Sequence, residues 1–143
     1  MKLTTVLFDL DGTLLPMDQD RFVKAYFGLL AKKLAGHGYV PEELIKAIWD
    51  GTAAMVKNTG AKTNEEAFWE SFAGHYGEEV KKDIPLFDEF YHNEFSGAQA
   101  ACGFNPDAAK AIAEIKKMGL RVVLATNPIF PAIATQTASV GPV

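Results

Sequence analysis

The chain has 143 residues, of which 48% are hydrophobic, and its formal net charge is −4. This length suits one domain or one small domain with an insertion, and the hydrophobic fraction is normal for a globular protein. No apolar run approaches the ~20 residues of a membrane span. No basic cluster is larger than pairs such as Lys32-Lys33 and Lys116-Lys117. Membrane insertion and binding to nucleic acid are therefore not expected.

The amino terminus and the cysteine content both favour a cytoplasmic protein. Residues 1–5 lack the long apolar core and the small-residue cleavage site of a signal peptide, and they lead directly into an apolar segment. Cys102 is the single cysteine, so it has no partner for an internal disulfide. No histidine or lysine adjoins it to lower its pKa, and we expect a buried small side chain rather than a nucleophile.

The first predicted strand covers residues 4–10 and ends in two acids, Asp9 and Asp11, followed by Gly12 and Thr13. Residues i and i+2 of an extended backbone point to the same side. Both carboxylates are therefore expected at the carboxyl end of the strand, where open α/β sheets bind ligands. One carboxylate can attack phosphorus, and the other can exchange a proton with the leaving group and with water. Mg²⁺ is the expected cofactor, because two acids alone repel an anionic phosphate.

A long and mostly helical stretch follows, from about residue 18 to residue 95. Apolar residues recur at three- and four-residue steps and predict four helices. Their expected starts are Asp18, Pro41, Thr63 and Pro85. Thr63 and Glu66 have the spacing of a capping box. The many aromatic residues of this stretch are mostly explained by a small hydrophobic core.

A fifth helix and a second strand complete the predicted elements. Asn105-Pro106-Asp107 is a typical helix start. Residues 120–125 then predict a short strand, buried in a parallel sheet. The two strands bracket roughly eighty helical residues, whereas a crossover between parallel strands needs only a dozen or so. The remainder is expected to be an insertion.

The string Phe8-Asp9-Leu10-Asp11-Gly12-Thr13-Leu14 resembles the first motif of the haloacid dehalogenase-like (HAD) hydrolase superfamily. The resemblance implies that Asp9 is the nucleophile and that Asp11 is the general acid/base. It also implies Mg²⁺ held by the Asp9 carboxylate and the Asp11 backbone carbonyl. An acid at the second position is typical of the phosphatases and phosphotransferases of this superfamily, and its dehalogenases lack it.

Thr126, at the end of the second predicted strand, resembles the second motif of the superfamily. Its hydroxyl is implied to bind a phosphoryl oxygen, together with the backbone N–H of Asn127. Pro128 departs from the pattern, because proline removes a backbone donor.

The resemblance implies an α/β fold with a Rossmann-like parallel-sheet core, incomplete in this chain, and an inserted α-helical cap. The expected core comprises residues 1–16 and 97–143, and the expected cap comprises residues 17–96.

The superfamily also requires a lysine and a later acidic motif, both downstream of the second motif. Residues 129–143 contain no Lys, Asp or Glu. We therefore expect a truncated sequence that is inactive by itself. Without further strands, the edge of the first strand would be exposed and would favour self-association.

The expected function is Mg²⁺-dependent hydrolysis of a small phosphorylated metabolite through an aspartyl-phosphate intermediate. Two alternatives stay open: a phosphotransferase of the same superfamily, such as a sugar-phosphate mutase, and an inactive fragment that retains only an anion-binding pocket. The three histidines, His37, His75 and His92, show no metal-ligand spacing.

Overall fold

The computed structural model describes residues 2–125. The regular elements in chain order are β1 (Thr5–Phe8), α1 (Gln19–Leu34), α2 (Pro41–Val56), α3 (Asn64–Tyr76), α4 (Ile84–His92), α5 (Pro106–Lys117) and β2 (Arg121–Leu124). Three 3-10 helices lie between them, at Ala35–His37, Glu78–Asp83 and Glu94–Ala101. The expected α/β class is confirmed. None of the helices within residues 2–125 has the length and apolar character needed to cross a membrane.

Strands β1 and β2 form a parallel pair, with Thr5 opposite Arg121 and Phe8 opposite Leu124. Apolar side chains between the sheet and α5 form a small core. Its buried members are Leu10, Leu14, Ala108 and Ile112, and Phe8, Leu15 and Val122 pack against them. The other face of the sheet carries Leu7, which is 65% exposed.

The expectation that β2 is buried is wrong for the described residues. Arg121 and Leu124 are exposed, and Val122 and Val123 are half-buried. Within residues 2–125, β2 pairs with a single strand. Burial on both faces, which makes parallel strands continuously apolar, requires a helix layer on each side.

The structure divides into two compact units, one formed by Met1–Ala25 with Gly97–Val143 and one formed by Tyr26–Ser96. The first unit contains the sheet and α5. The second contains α2, α3 and α4. The assignment of residues 1–16 and 97–143 to a core and of 17–96 to a cap stays a prediction.

Aromatic side chains fill the interior of the second unit. Phe72 and Phe90 are fully buried. The ring of Phe72 contacts the rings of Tyr39, Phe68, Trp69, Tyr76 and Phe87. The predicted small core in this stretch is therefore confirmed.

The helix caps expected from the sequence are present. The Asp18 carboxylate accepts a hydrogen bond from the Arg21 N–H at 2.9 Å. Thr63 and Glu66 form the reciprocal bonds of a capping box at the start of α3. Asn105 caps α5 by accepting from the Asp107 N–H at 3.0 Å. These side chains satisfy N–H groups that have no partner within the helix.

Candidate active site

A tight turn follows β1 and shapes the candidate site. The N–H groups of Thr13 and Leu15 both donate to the carbonyl oxygen of Leu10, at 3.1 and 2.9 Å. The N–H of Gly12 donates back to the carbonyl oxygen of Leu15 at 2.8 Å. Gly12 has a φ of 76°, a conformation that glycine adopts without strain. The backbone therefore reverses directly after the acidic residues.

Asp9 and Asp11 flank Leu10, which is buried, and both aspartates are exposed. The Thr13 hydroxyl donates to Oδ2 of Asp9 at 3.2 Å. Partial burial, followed by the negative charge of Asp9, raises the pKa of Asp11 above its ordinary value. The turn thus brings the two carboxylates close enough to interact. A raised pKa increases the protonated fraction of Asp11, which suits a general acid.

The donor set of this site is composed of hard oxygen atoms. Among the described residues, neither Asp9 nor Asp11 forms an ion pair with a lysine or arginine. No described N–H or hydroxyl donates to the Asp11 carbonyl oxygen. Mg²⁺ binds through one or two carboxylates and completes its shell with water and substrate phosphate. The two residues fit this requirement, although residues 2–125 contain no group of three metal-binding side chains.

The carboxyl ends of the two strands meet beside Asp9. The Ala125 N–H donates to the carbonyl oxygen of Phe8 at 2.7 Å. Thr126 and Asn127 come next in the chain and lie outside the described residues. Their roles as phosphate ligands stay predictions.

Cys102 lies close enough to the acidic turn for the charge of Asp11 to influence its thiol, which the sequence did not indicate. An isolated antiparallel bridge joins Met17 and Cys102, and the Gly103 N–H donates to the Pro16 carbonyl oxygen at 2.6 Å. Cys102 is half-buried rather than buried as expected. Burial, followed by the charge of Asp11, raises the pKa of its thiol. Roughly ninety residues separate Cys102 from Asp11 in the sequence. No local sequence pattern indicates that two residues so far apart in the chain influence each other in the fold.

The comparison with protein families agrees with the resemblance that the acidic turn carries. The family model described as haloacid dehalogenase-like hydrolase matches residues 3–140. No curated protein matches the chain, and no solved structure matches it. The family match therefore rests on the sequence over nearly the whole chain, including Asp9 and Asp11.

Proposed function

The chain belongs to the haloacid dehalogenase-like hydrolase family, and we propose that Asp9 is the nucleophile of an enzyme that hydrolyses a small phosphorylated metabolite through an aspartyl-phosphate. The expectation that these 143 residues are inactive by themselves stays a prediction. One observation carries this proposal. Asp9 is held by the Thr13 hydroxyl, and Asp11, two residues away, has a raised pKa. Two carboxyl groups with different surroundings can act as nucleophile and as acid in the same reaction.

In the first half-reaction, a carboxylate oxygen of Asp9 attacks phosphorus and the ester P–O bond breaks. The Thr13 hydroxyl engages Oδ2 of Asp9, so we assign the attack to Oδ1. Asp11 gives its proton to the leaving alkoxide, which departs as an alcohol. The raised pKa of Asp11 favours the protonated form that this step uses.

In the second half-reaction, the ionised Asp11 takes a proton from water. The resulting hydroxide attacks phosphorus, and the bond to Asp9 breaks. Inorganic phosphate is released, Asp9 is again a carboxylate, and Asp11 is again an acid. The two residues thus return to their starting states after one turnover.

The Asp9 carboxylate and the Asp11 carbonyl oxygen are the proposed protein ligands of Mg²⁺, which supplies positive charge to offset the repulsion between these acids and an anionic phosphate.

The test measures formation of a phosphate-mimicking adduct as well as turnover. Beryllium trifluoride forms a stable complex with an aspartate nucleophile, and ¹⁹F NMR reports the bound species. Adduct formation needs the nucleophile, its phosphate pocket and Mg²⁺, and it does not depend on the second half-reaction. We expect the wild-type protein to give the bound signal when Mg²⁺ is present.

Three variants separate the proposed roles. Asp9→Asn should lose the adduct and reduce any hydrolysis of p-nitrophenyl phosphate by about 10³-fold or more. Asp11→Asn should keep the adduct, because its role is proton transfer, but lose ~10²–10⁴-fold in turnover of an alkyl phosphate. The loss should be smaller for p-nitrophenyl phosphate, because its leaving group needs little protonation. Asp20→Asn, at an exposed aspartate of α1, is the matched control and should behave as wild type. An adduct or turnover that survives Asp9→Asn would contradict the proposal, as would a wild-type protein that shows neither.

The phosphotransferase alternative differs in what accepts the phosphate from Asp9. Adding a sugar phosphate as acceptor distinguishes the two reactions. Release of inorganic phosphate at an unchanged rate supports hydrolysis. Formation of a sugar bisphosphate from the added sugar phosphate supports transfer.

A further inference from the structure

A distant segment of the first unit holds the chain where it leaves the acidic turn, which comprises residues 9–15. The Gly103 N–H donates to the carbonyl oxygen of Pro16 at 2.6 Å. An antiparallel bridge joins the next residue, Met17, to Cys102. Proline has no N–H, so its carbonyl oxygen is the one backbone group through which Pro16 can form a hydrogen bond. Gly103 therefore fixes the carboxyl end of the turn.

The rest of the turn is held partly by the core and partly by exposed hydrogen bonds. Leu10 and Leu14 are buried in the small core, whereas Asp9 and Asp11 are exposed. The backbone bonds that close the turn run to and from Leu15, which directly precedes Pro16. Exposed backbone hydrogen bonds open locally at low cost in free energy. The geometry of the turn therefore depends on what holds its last residues.

Gly103 lies against Pro16 at a distance that leaves no room for a side chain. A Cβ atom at position 103 would lie 3.0 Å from Cβ of Pro16 and 3.3 Å from its carbonyl oxygen. Carbon atoms pack best at about 3.5–4.0 Å. Because glycine has no Cβ, the two backbones can approach closely enough for the hydrogen bond of 2.6 Å.

The same segment lies near the second aspartate. Burial and then the negative charge of Asp11 raise the pKa of the Cys102 thiol, so Cys102 is within electrostatic reach of that carboxylate. An isolated bridge joins Asp11 to Leu15, and Leu15 is bonded to Pro16. Contacts therefore run without a gap from Gly103 through Pro16 and Leu15 to Asp11, as a coupling between residues requires.

We propose that Gly103 is a positioning residue, whose contact with Pro16 holds the acidic turn in the conformation that presents Asp9 and Asp11. The Thr13 hydroxyl that donates to Asp9 belongs to the same turn, so a shift of Pro16 would disturb this contact too. A misplacement of about 1 Å can cost on the order of 10²-fold in rate. The catalytic meaning of this inference rests on the function proposed above, whereas the order of the turn can be measured without it.

The main test is Gly103→Ala in the full chain, with amide hydrogen exchange followed by ¹H–¹⁵N NMR. The added methyl group should push Pro16 away and weaken its hydrogen bond. We expect the hydrogen-bonded N–H groups of the turn to exchange about fivefold faster or more than in the wild type, and those of α5 to keep their wild-type rates. The N–H groups measured in the turn are those of Gly12, Thr13 and Leu15.

Phe104→Ala is the control, because it changes an exposed side chain in the same segment. It should alter exchange neither in the turn nor in α5. Equal acceleration of the turn and of α5 by Gly103→Ala would mean that Gly103 contributes to stability alone. Unchanged exchange in the turn would mean that Gly103 does not hold it. Either result overturns the inference.

A double-mutant cycle assigns the effect to Pro16. Pro16→Gly removes the atom that the new methyl group meets first. Gly103→Ala should therefore accelerate exchange in the turn about threefold less with Pro16→Gly present than without it. The same acceleration in both backgrounds would overturn the inference.

If Gly103→Ala does not fold, exchange in the wild type decides. The N–H groups of Gly103 and Leu15 should then have protection factors within about threefold of each other, because one opening event exposes both. A larger difference would show that the two contacts open separately and would overturn the inference.

The beryllium trifluoride adduct separates this inference from the proposed function. Gly103→Ala should need about tenfold more beryllium fluoride than the wild type for half-formation of the adduct. Adduct formation at the wild-type concentration would show that the contact does not position Asp9. A wild-type protein that forms no adduct would contradict the proposed function, and the exchange rates would still decide whether Gly103 holds the turn.

Discussion

Asp9 and Asp11 are two residues apart and have different surroundings. The Thr13 hydroxyl donates to Asp9. Burial and the charge of Asp9 together disfavour the ionised form of Asp11. The turn itself produces this difference in surroundings, because Leu10, which lies between Asp9 and Asp11 in sequence, is buried in the small core of the first unit. A short segment thus places two acids in different surroundings.

Stability should depend on pH through Asp11. Its pKa is raised in the folded protein, so the folded state holds this proton more tightly than the unfolded state does. The stabilising contribution is complete below the ordinary value of 3.8 and is lost as the pH rises through the raised pKa. At pH 7 the ionised Asp11 therefore destabilises the fold, and Asp11→Asn should unfold at a higher temperature than the wild type.

Thermal unfolding followed by circular dichroism at several pH values checks this expectation. The difference in melting temperature between Asp11→Asn and the wild type should shrink as the pH falls. It should disappear once Asp11 is protonated in both the folded and the unfolded state. Asp20→Asn is the control. A lower melting temperature for Asp11→Asn at pH 7 would show that ionised Asp11 is not disfavoured in the fold.

Local sequence accounts for the acidic turn and not for polar contacts between residues that are far apart in the chain. Asp9, Asp11 and Thr13 are recognisable because all of them lie within one short motif. The Tyr39–Asp83 hydrogen bond joins residues 44 positions apart. Its formation depends on how the 3-10 helices and α3 pack, and packing of this kind leaves no periodic signal in the sequence.

At the scale of elements, helix starts were better predicted than helix ends. Asp18, Thr63 and Asn105 cap helices through contacts with residues two or three positions away. The helix expected to run from Pro85 to residue 95 instead covers Ile84–His92 and is followed by a 3-10 helix at Glu94–Ala101. Apolar spacing does not separate these two helix types, because one turn spans 3.0 or 3.6 residues.

The capping box of α3 should contribute measurably to stability. The Thr63 hydroxyl accepts from the Glu66 N–H at 3.1 Å, and Thr63→Ala leaves that N–H without its partner. We expect the free energy of unfolding to fall by about 1 kcal/mol. Urea denaturation measures it, with Thr59→Ala in the exposed turn before α3 as the matched control. Equal stability of the two variants would mean that the cap contributes nothing measurable.

Gly51 permits the close approach of α2 and α3. A Cβ atom at this position would lie 2.5 Å from Cδ2 of Phe68. The Phe68 ring cannot easily move aside, because it stacks on Phe72 with 5.6 Å between centroids. Gly51→Ala should therefore lower the free energy of unfolding by about 1–3 kcal/mol, as other overpacked cores do.

Gly28→Ala is the matched control, because Gly28 lies within α1 and has no atom within 4 Å of an added Cβ. It should raise the free energy of unfolding by about 0.5–1 kcal/mol, since alanine favours helices more than glycine does. Phe68→Leu should reduce the loss caused by Gly51→Ala in a double-mutant cycle. If Gly51→Ala raises the free energy of unfolding as Gly28→Ala does, then the contact of the added Cβ with Phe68 does not destabilise the fold.

At the scale of the whole molecule, the two units differ in whether their residues are continuous in sequence. The second unit, Tyr26–Ser96, is continuous in sequence. It also has its own aromatic core around Phe72. Residues 19–96, which include all of α1, should fold without the rest of the chain. We expect a helical circular dichroism spectrum and a cooperative thermal transition.

Phe72→Ala provides the internal control for this fragment. It removes a fully buried ring and should cost about 3–5 kcal/mol. The transition should therefore be lost or moved to a much lower temperature. A fragment that melts without cooperativity even with Phe72 intact would show that the second unit depends on the first.

The pairing of Thr5 with Arg121 has a consequence for biosynthesis. The ribosome synthesises β1 and the acidic turn before the five α-helices, and it synthesises β2, the partner strand of β1, after them. At about 5–20 residues per second, the delay between the two strands is on the order of ten seconds. The intervening helices can fold during that time, because their contacts are closer in sequence. Asp9 and Asp11 are thus synthesised before the helical unit, and β1 can pair with β2 only after that unit has been synthesised.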